Sequence, residues 1–198
     1  MSSSSTDLDA ALMVRFRNGD ELAFAELVER YKRPVFNFVC RQIGMYGDAE
    51  DIAQNVFVQI FRSADRYEPS AKFTTWMFTI ARNLCLNEFR RRQRHPLQSM
   101  NDTSLRKDPN DSSPQFADPS AHSPAIQSAD NEIQDRIMSA IQKLPENQRA
   151  AVLLCRYEGL SYEDIAKILQ ISIGATKSLL HRARETLKEE LQGILRET

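Results

Sequence analysis

Cysteine, glycine and tryptophan are scarce here: three Cys, six Gly and one Trp in 198 residues. Cys40, Cys85 and Cys155 are isolated, odd in number, and each set in an apolar helical context. A disulfide framework or a zinc site needs paired spacing, so they read as buried free thiols of a reducing, cytoplasmic compartment. No stretch reaches the ~18 apolar residues that a membrane span needs. The opening MSSSSTDLDA has neither a basic nor an apolar leader segment, so neither secretion nor direct membrane insertion is expected. There is no Gly-rich phosphate loop, metal-ligand spacing or nucleophile motif. Catalytic residues, a cofactor, a metal and a small-molecule substrate are therefore not expected.

What is present is enough apolar material for packed cores, 41% of residues, and an uneven distribution of charge. The net charge is only −1. Yet Arg62 to Arg94 holds eight Lys and Arg against three Asp and Glu, a local charge of +5. Charge distribution, rather than its sum, is the informative quantity for a nucleic-acid partner.

Helical periodicity dominates the chain. After a Ser-rich start (1–6, expected to be disordered), Asp7 is placed to cap a helix running to Arg17, with Leu8, Leu12, Val14 and Phe16 as its apolar residues. Asn18-Gly19-Asp20 ends it. A second helix begins near Glu21 and buries Phe24, Leu27, Val28 and Tyr31; Pro34 kinks or restarts it before Val35, Phe36, Phe38, Val39 and Ile43. Asp48 caps a third, with Asp51 at N3 and Ile52, Val56, Phe57, Ile60 and Phe61 inside. Its polar strip, Asp51, Gln54, Asn55, Gln59 and Arg62, suits either bare solvent or a docking face. The fourth, Phe73–Arg94, places Met77, Phe78, Ile80, Ala81, Leu84, Cys85 and Phe89 on one arc. Thr79, Asn83, Asn87 and Arg90 lie opposite, with Trp76 and Arg82 at the margins and Arg91, Arg92 and Arg94 beyond. Amides, a hydroxyl and arginines beside an aromatic suit bases and phosphates together. A basic amphipathic helix also suits a membrane surface or a partner protein.

Residues 7–95 thus predict a four-helix domain. Residues 96–130 are Ser-, Pro-, Asp- and Asn-rich, with Asp102, Asp108, Asp111, Asp118 and Asp130 against Arg106 and Lys107. That composition predicts a flexible acidic linker, on the order of 30 Å as a coil and 110 Å extended. A second helical domain follows over 131–198, starting with Ile133, Ile137, Ala140, Ile141 and Leu144. Pro145 opens the next helix, with Ala150, Leu153, Leu154 and Tyr157 on its apolar side and Gly159 at its end. Ser161-Tyr-Glu-Asp164 reads as the capped start of a short helix burying Ile165, Ala166 and Leu169. A turn at Gln170-Ile171-Ser172 leads to a longer helix with Thr176, Leu180, Ala183 and Leu187 inside. That is the helix-turn-helix pattern. Lys177, Ser178, His181 and Arg182 project outward, where recognition helices meet base edges; Lys177 and Arg184 also suit phosphate contacts.

At this point the sequence resembles a known family. DAEDIAQNVFVQIFRSADRYEPSAKFTTWMFTIARNLCLNEFRRRQR resembles the second conserved region of bacterial sigma factors. LPENQRAAVLLCRYEGLSYEDIAKILQISIGATKSLLHRARETLKEEL resembles the fourth. Their order, with only a spacer between, is that of the extracytoplasmic-function group. The resemblance implies an all-α, two-domain alternative sigma factor that binds RNA polymerase core and promoter DNA and is no enzyme. It assigns −35 recognition to Lys177, Ser178, His181, Arg182 and Arg184. It assigns −10 capture to Trp76, Asn83, Asn87, Arg90 and Arg91 with the loop Glu68–Thr75. The strip Asp51, Gln54, Asn55, Gln59 and Arg62 becomes the docking face for the β′ clamp helices, with the β flap as a further polymerase contact. An anti-sigma factor is also implied. Leu179 stands where relatives often carry Arg, Asn87 where Asp is frequent, and Gln170 where many helix-turn-helices have Gly. A helix-turn-helix operator-binding regulator independent of polymerase is the alternative, but it gives the amide-bearing helix no task.

Overall fold

The structure, a computed structural model, describes residues 8–44, 46–69, 72–94 and 124–195. Among them every regular element is helical, with no strand. In the N-terminal half α1 spans Leu8–Arg17, α2 Glu21–Ile43, α3 Tyr46–Arg62 and α4 Phe73–Arg94, with one 3-10 turn at Ala64–Arg66. In the C-terminal half α5 spans Pro124–Lys143, α6 Glu146–Arg156, α7 Tyr162–Leu169 and α8 Ile173–Leu195. The expected disordered residues 1–6, and 96–123 of the expected linker, lie outside the described residues.

Local chemistry accounts for most boundaries. The Asp20 carboxylate caps α2 by accepting from the Leu22 and Ala23 amides, and Gly44 closes that helix at φ +73°. Pro34 does not restart α2: one helix runs through it to Ile43. The third helix starts at Tyr46, not at an Asp48 cap. Asp48 lies in its first turn and is drawn instead to the Arg92 guanidinium of α4 at 2.8 Å. The Pro124 start of α5 falls within the stretch read as linker. Proline is well tolerated in a first turn, where its missing N–H has no helical partner to lose.

The core of the N-terminal half joins Met13, Leu27, Phe38, Val39, Val56, Ile60, Phe73, Met77, Phe78 and Cys85, each at most 2% exposed. Each such large side chain contributes roughly 1.5–3 kcal/mol by leaving water. Four residues expected inside are exposed instead. Leu8 is exposed; Phe61 is 54% exposed and meets the Phe16 and Phe24 rings at 5.2 and 5.5 Å; Ile133 is exposed on α5; Tyr157, at the end of α6, is exposed with the Arg41 guanidinium over its ring. Phe61 lies on the outer side of the last turn of α3, next to the buried Ile60, with the Phe16 and Phe24 rings against it.

The halves pack together, and their buried residues form one contiguous cluster. Helix α4 lies on α7, and the end of α2 lies on α5 and α6. The last carbonyls of α2 are orphans of the helix geometry, and side chains satisfy them. Gln142 donates to Arg41 O at 2.5 Å, Arg149 to Gln42 O at 2.6 Å and Arg92 to Ile43 O at 3.3 Å. Two of these donors come from the other half. Arg149 also donates to Gln142 O and, at 3.1 Å, to Leu144 O, so one guanidinium closes two helices. A cation there also complements the negative ends of both helix dipoles.

Candidate nucleic-acid interface

The helix-turn-helix is built from its caps inward. Ser161 Oγ accepts from the Asp164 amide and opens α7. Gln170 ends it in the left-handed region at φ +57°, its amide shared between Ala166 O and Lys167 O. That conformation explains why glycine is common at such a turn. Ser172 Oγ then accepts from Ala175 N at the start of α8. Thr176, Leu180 and Ala183 are buried, Thr176 with its hydroxyl on Ser172 O at 3.1 Å. This fixes the rotation of α8, so that Lys177, Ser178, His181 and Arg182 are exposed on the far side. Arg184 is exposed too, but donates to the Tyr162 hydroxyl at 3.2 Å, which ties it to α7. Leu179 does not face outward with the others; it is half-buried and packs against the core.

On α4 the expected face is present in part. Asn83, Asn87 and Arg90 are exposed. Trp76 is half-buried, its ring 5.1 Å from Tyr67 and 6.4 Å from Phe73. Arg91 is exposed but donates to Glu88 at 2.8 and 2.9 Å. Glu88 also takes Arg92 at 2.7 Å. Burial pushes the Glu88 carboxyl up, but the two guanidiniums outweigh it and hold it below the usual range.

The loop Glu68–Thr75 departs most from expectation. Residues 70 and 71 lie outside the described set, and Thr75 is buried at 6% exposure. Its hydroxyl donates to Asp164 of α7 at 3.2 Å, beside Lys72 Nζ at 2.8 Å from the same carboxylate. Burial pushes Asp164 up, but the bonds from Lys72, Ser161 and Thr75 prevail and hold it below the ordinary carboxylate range. Further along α4, Arg82 donates to Asn147 at 3.0 Å.

Helix α3 presents Asp51, Gln54, Asn55, Gln59 and Arg62, all exposed, with Val58 and Phe61 exposed among them. Sequence reasoning missed Gln42, Asp164 and Arg149 as joints between the halves. Gln42 and Arg149 carried a signal: each polar side chain falls on an apolar stripe, Val35-Phe38-Val39-Gln42 and Arg149-Leu153. Asp164 carried none, since an acid at N3 is ordinary capping chemistry.

Among the described residues no group of three or more His, Cys, Asp and Glu is placed to hold a metal, and no helix is long and apolar enough to cross a membrane. A helix-turn-helix with a basic outer face, joined to a bundle whose last helix carries amides and arginines, defines a DNA-binding protein of transcription. Family comparison makes the class specific. Residues 27–95 match sigma-70 region 2 and residues 134–187 match sigma-70 region 4. The chain is 34% identical to RNA polymerase sigma-H factor of Pseudomonas aeruginosa over 96% of each. It is 30% identical to ECF RNA polymerase sigma-E factor of Haemophilus influenzae, covering 94% of this chain and 97% of that one. Among solved structures it resembles the sigma factor RpoE of Bartonella quintana, determined in complex with the anti-sigma factor NepR: TM-score 0.63, 25% identity, 85% of this chain and 96% of that one. The chain belongs to the extracytoplasmic-function group of sigma-70 factors, and is an alternative sigma factor acting in transcription initiation.

Proposed function

We propose that the two halves divide promoter recognition, with 7–95 taking the −10 element and polymerase core, 131–198 the −35 element, and 96–130 serving as tether. In this reading Lys177, Ser178, His181 and Arg182 meet base edges of the −35 duplex, while Arg184 holds a phosphate. The observation that supports it best is the rotation of α8, which buries Thr176, Leu180 and Ala183 and turns that set to solvent. On α4, an exposed Asn amide both donates and accepts, as an unstacked base requires, and the half-buried Trp76 is the aromatic side chain of that surface. Arg90, with Arg91 released from Glu88, holds the strand's backbone. The exposed strip of α3 docks on the β′ clamp helices, and the −35 module on the β flap. An anti-sigma factor is the expected inhibitor, by likeness to the Bartonella protein's complex. The protein acts in the cytoplasm and performs no chemistry of its own.

In vitro transcription with core polymerase over a genomic DNA library, with permanganate footprinting, tests this division. K177A/R182A should weaken promoter binding by about 1–3 kcal/mol for each side chain that reads a base edge. N83A should retain duplex binding and lose strand opening. Unchanged transcription with the double variant, or normal melting with N83A, rejects the corresponding assignment.

A further inference from the structure

The region 2 match begins at residue 27, so α1 lies wholly before it. The structure nevertheless builds this helix into the −10 half: α1 packs on α2, on the 3-10 turn Ala64–Arg66 and on α4. Each end is tied down by a charged side chain. At its start Asp9 accepts from the Arg30 guanidinium and, at 2.5 Å, from the Tyr31 hydroxyl. At its end Arg17 Nη1 donates to the Tyr67 carbonyl oxygen at 3.2 Å, across 50 positions of sequence.

Both ties lead to one aromatic cluster. The Tyr31 ring lies 5.3 Å from Phe73, and the Tyr67 ring 6.3 Å from Phe73 and 5.1 Å from Trp76. Tyr67 is 1% exposed, so its ring is a wall of the packed interior, and the half-buried Trp76 leans on that wall. Tyr67 is also where the 3-10 turn gives way to extended backbone, at φ −72° and ψ 124°. Its carbonyl therefore sets the direction in which Glu68 and Pro69 leave the turn. A guanidinium on that oxygen fixes ring and loop together, because both hang from one residue. An aromatic that must receive a base needs neighbours that lock it beforehand.

We propose that Arg17 is a positioning residue for −10 capture, holding Tyr67 from α1 so that Trp76 and the loop after Tyr67 are preformed when the strand arrives. The proposal rests on the −10 assignments above. It deepens them by adding a helix that lies outside the region 2 match. The neighbouring Arg15 is engaged locally, by Asp20 at 2.7 Å in the turn after α1. Arg17 instead reaches out of its own helix to a neutral acceptor. A hydrogen bond from a charged donor is stronger than a neutral one and fixes the acceptor's place as well. Arg17 is exposed, so direct contact with a DNA phosphate is the competing role, and the test separates the two.

Trp76 is the only tryptophan in the chain, so its fluorescence reports on this surface without DNA. Arg17→Met keeps an unbranched stem and removes the donors, whereas Arg17→Lys keeps a charged donor. In the free full chain, Arg17→Met should move Trp76 emission to longer wavelength, as Tyr67 loosens and water reaches the indole. With core polymerase and a promoter fragment recovered from the genomic library, Arg17→Met should slow permanganate-detected strand opening about tenfold. That is the order expected for one hydrogen bond to a charged group. Binding of the same fragment as closed duplex should not change, and Arg17→Lys should return both emission and opening towards native. Native emission in Arg17→Met overturns the positioning role: slow opening then marks a direct phosphate contact, and normal opening an idle side chain. Shifted emission with normal opening overturns it, as does a deficit that Arg17→Lys does not relieve. Loss of helical circular dichroism in Arg17→Met overturns it too, because Arg17 then holds the fold rather than the site. A native chain that opens no fragment with polymerase rejects the −10 assignments. Native opening alongside an inert Arg17→Met substitution rejects the role of Arg17 alone.

Discussion

The arginines that close α4 meet different ends within one turn. Arg90 is exposed, Arg91 is held by Glu88, and Arg92 reaches across to Ile43 O and Asp48. Arg94 folds back on Arg90 O. Charge alone made them a DNA clamp; packing makes Arg92 a structural joint and leaves Arg90 as the free-standing candidate. Glu158 illustrates the same dependence on surroundings. Burial pushes its carboxyl up to about 7, against the opposing pull of Arg41. The folded state therefore favours the neutral acid. That contribution to stability is complete below the ordinary value of 4.5 and is lost as pH rises through about 7. Glu158→Gln, which cannot ionise, should melt at a higher temperature than the native chain at pH 8. The difference should shrink towards zero by pH 5. Equal melting temperatures at pH 8 would refute the buried-acid assignment.

At the scale of elements, the helix-turn-helix was the most legible part. Ser161 as cap, Thr176, Leu180 and Ala183 inside α8 and the outward basic set follow from local chemistry and helical period and are found in place, while Leu187, also expected inside, is half-buried. The turn carries one strained residue, Gln170, the single non-Gly residue at positive φ among the described ones. Glycine avoids the Cβ clash there but adds freedom to the unfolded chain, so the two effects partly cancel. Gln170→Gly should still stabilise by about 0.5–1 kcal/mol, read as a raised urea midpoint at unchanged slope. A lowered midpoint would show that the Gln side chain contributes more than its backbone costs. The third helix was less legible. Its start moved from Asp48 to Tyr46 and Phe61 left the core, because an α4 arginine and the Phe16–Phe24 pair, both remote in sequence, compete for those residues.

For the whole molecule, the decisive residue is Arg149. At 9% exposure it closes α2 from one half and α5 from the other. Arg149→Ala leaves buried carbonyls without donors and should cost about 3 kcal/mol of unfolding free energy by urea titration. A drop under about 0.5 kcal/mol would mean that water replaces the guanidinium and that the joint is weak. None of this was visible in the sequence beyond a polar residue on an apolar stripe. The sequence by itself determined the helices and which residues α8 turns outward, Lys177, Ser178, His181 and Arg182, because period and capping act within a few residues. Only the tertiary structure decided that the modules close on one another, that Thr75 is covered and that Asp164 faces Lys72. Those contacts join residues about ninety positions apart, where no local pattern selects one partner over another.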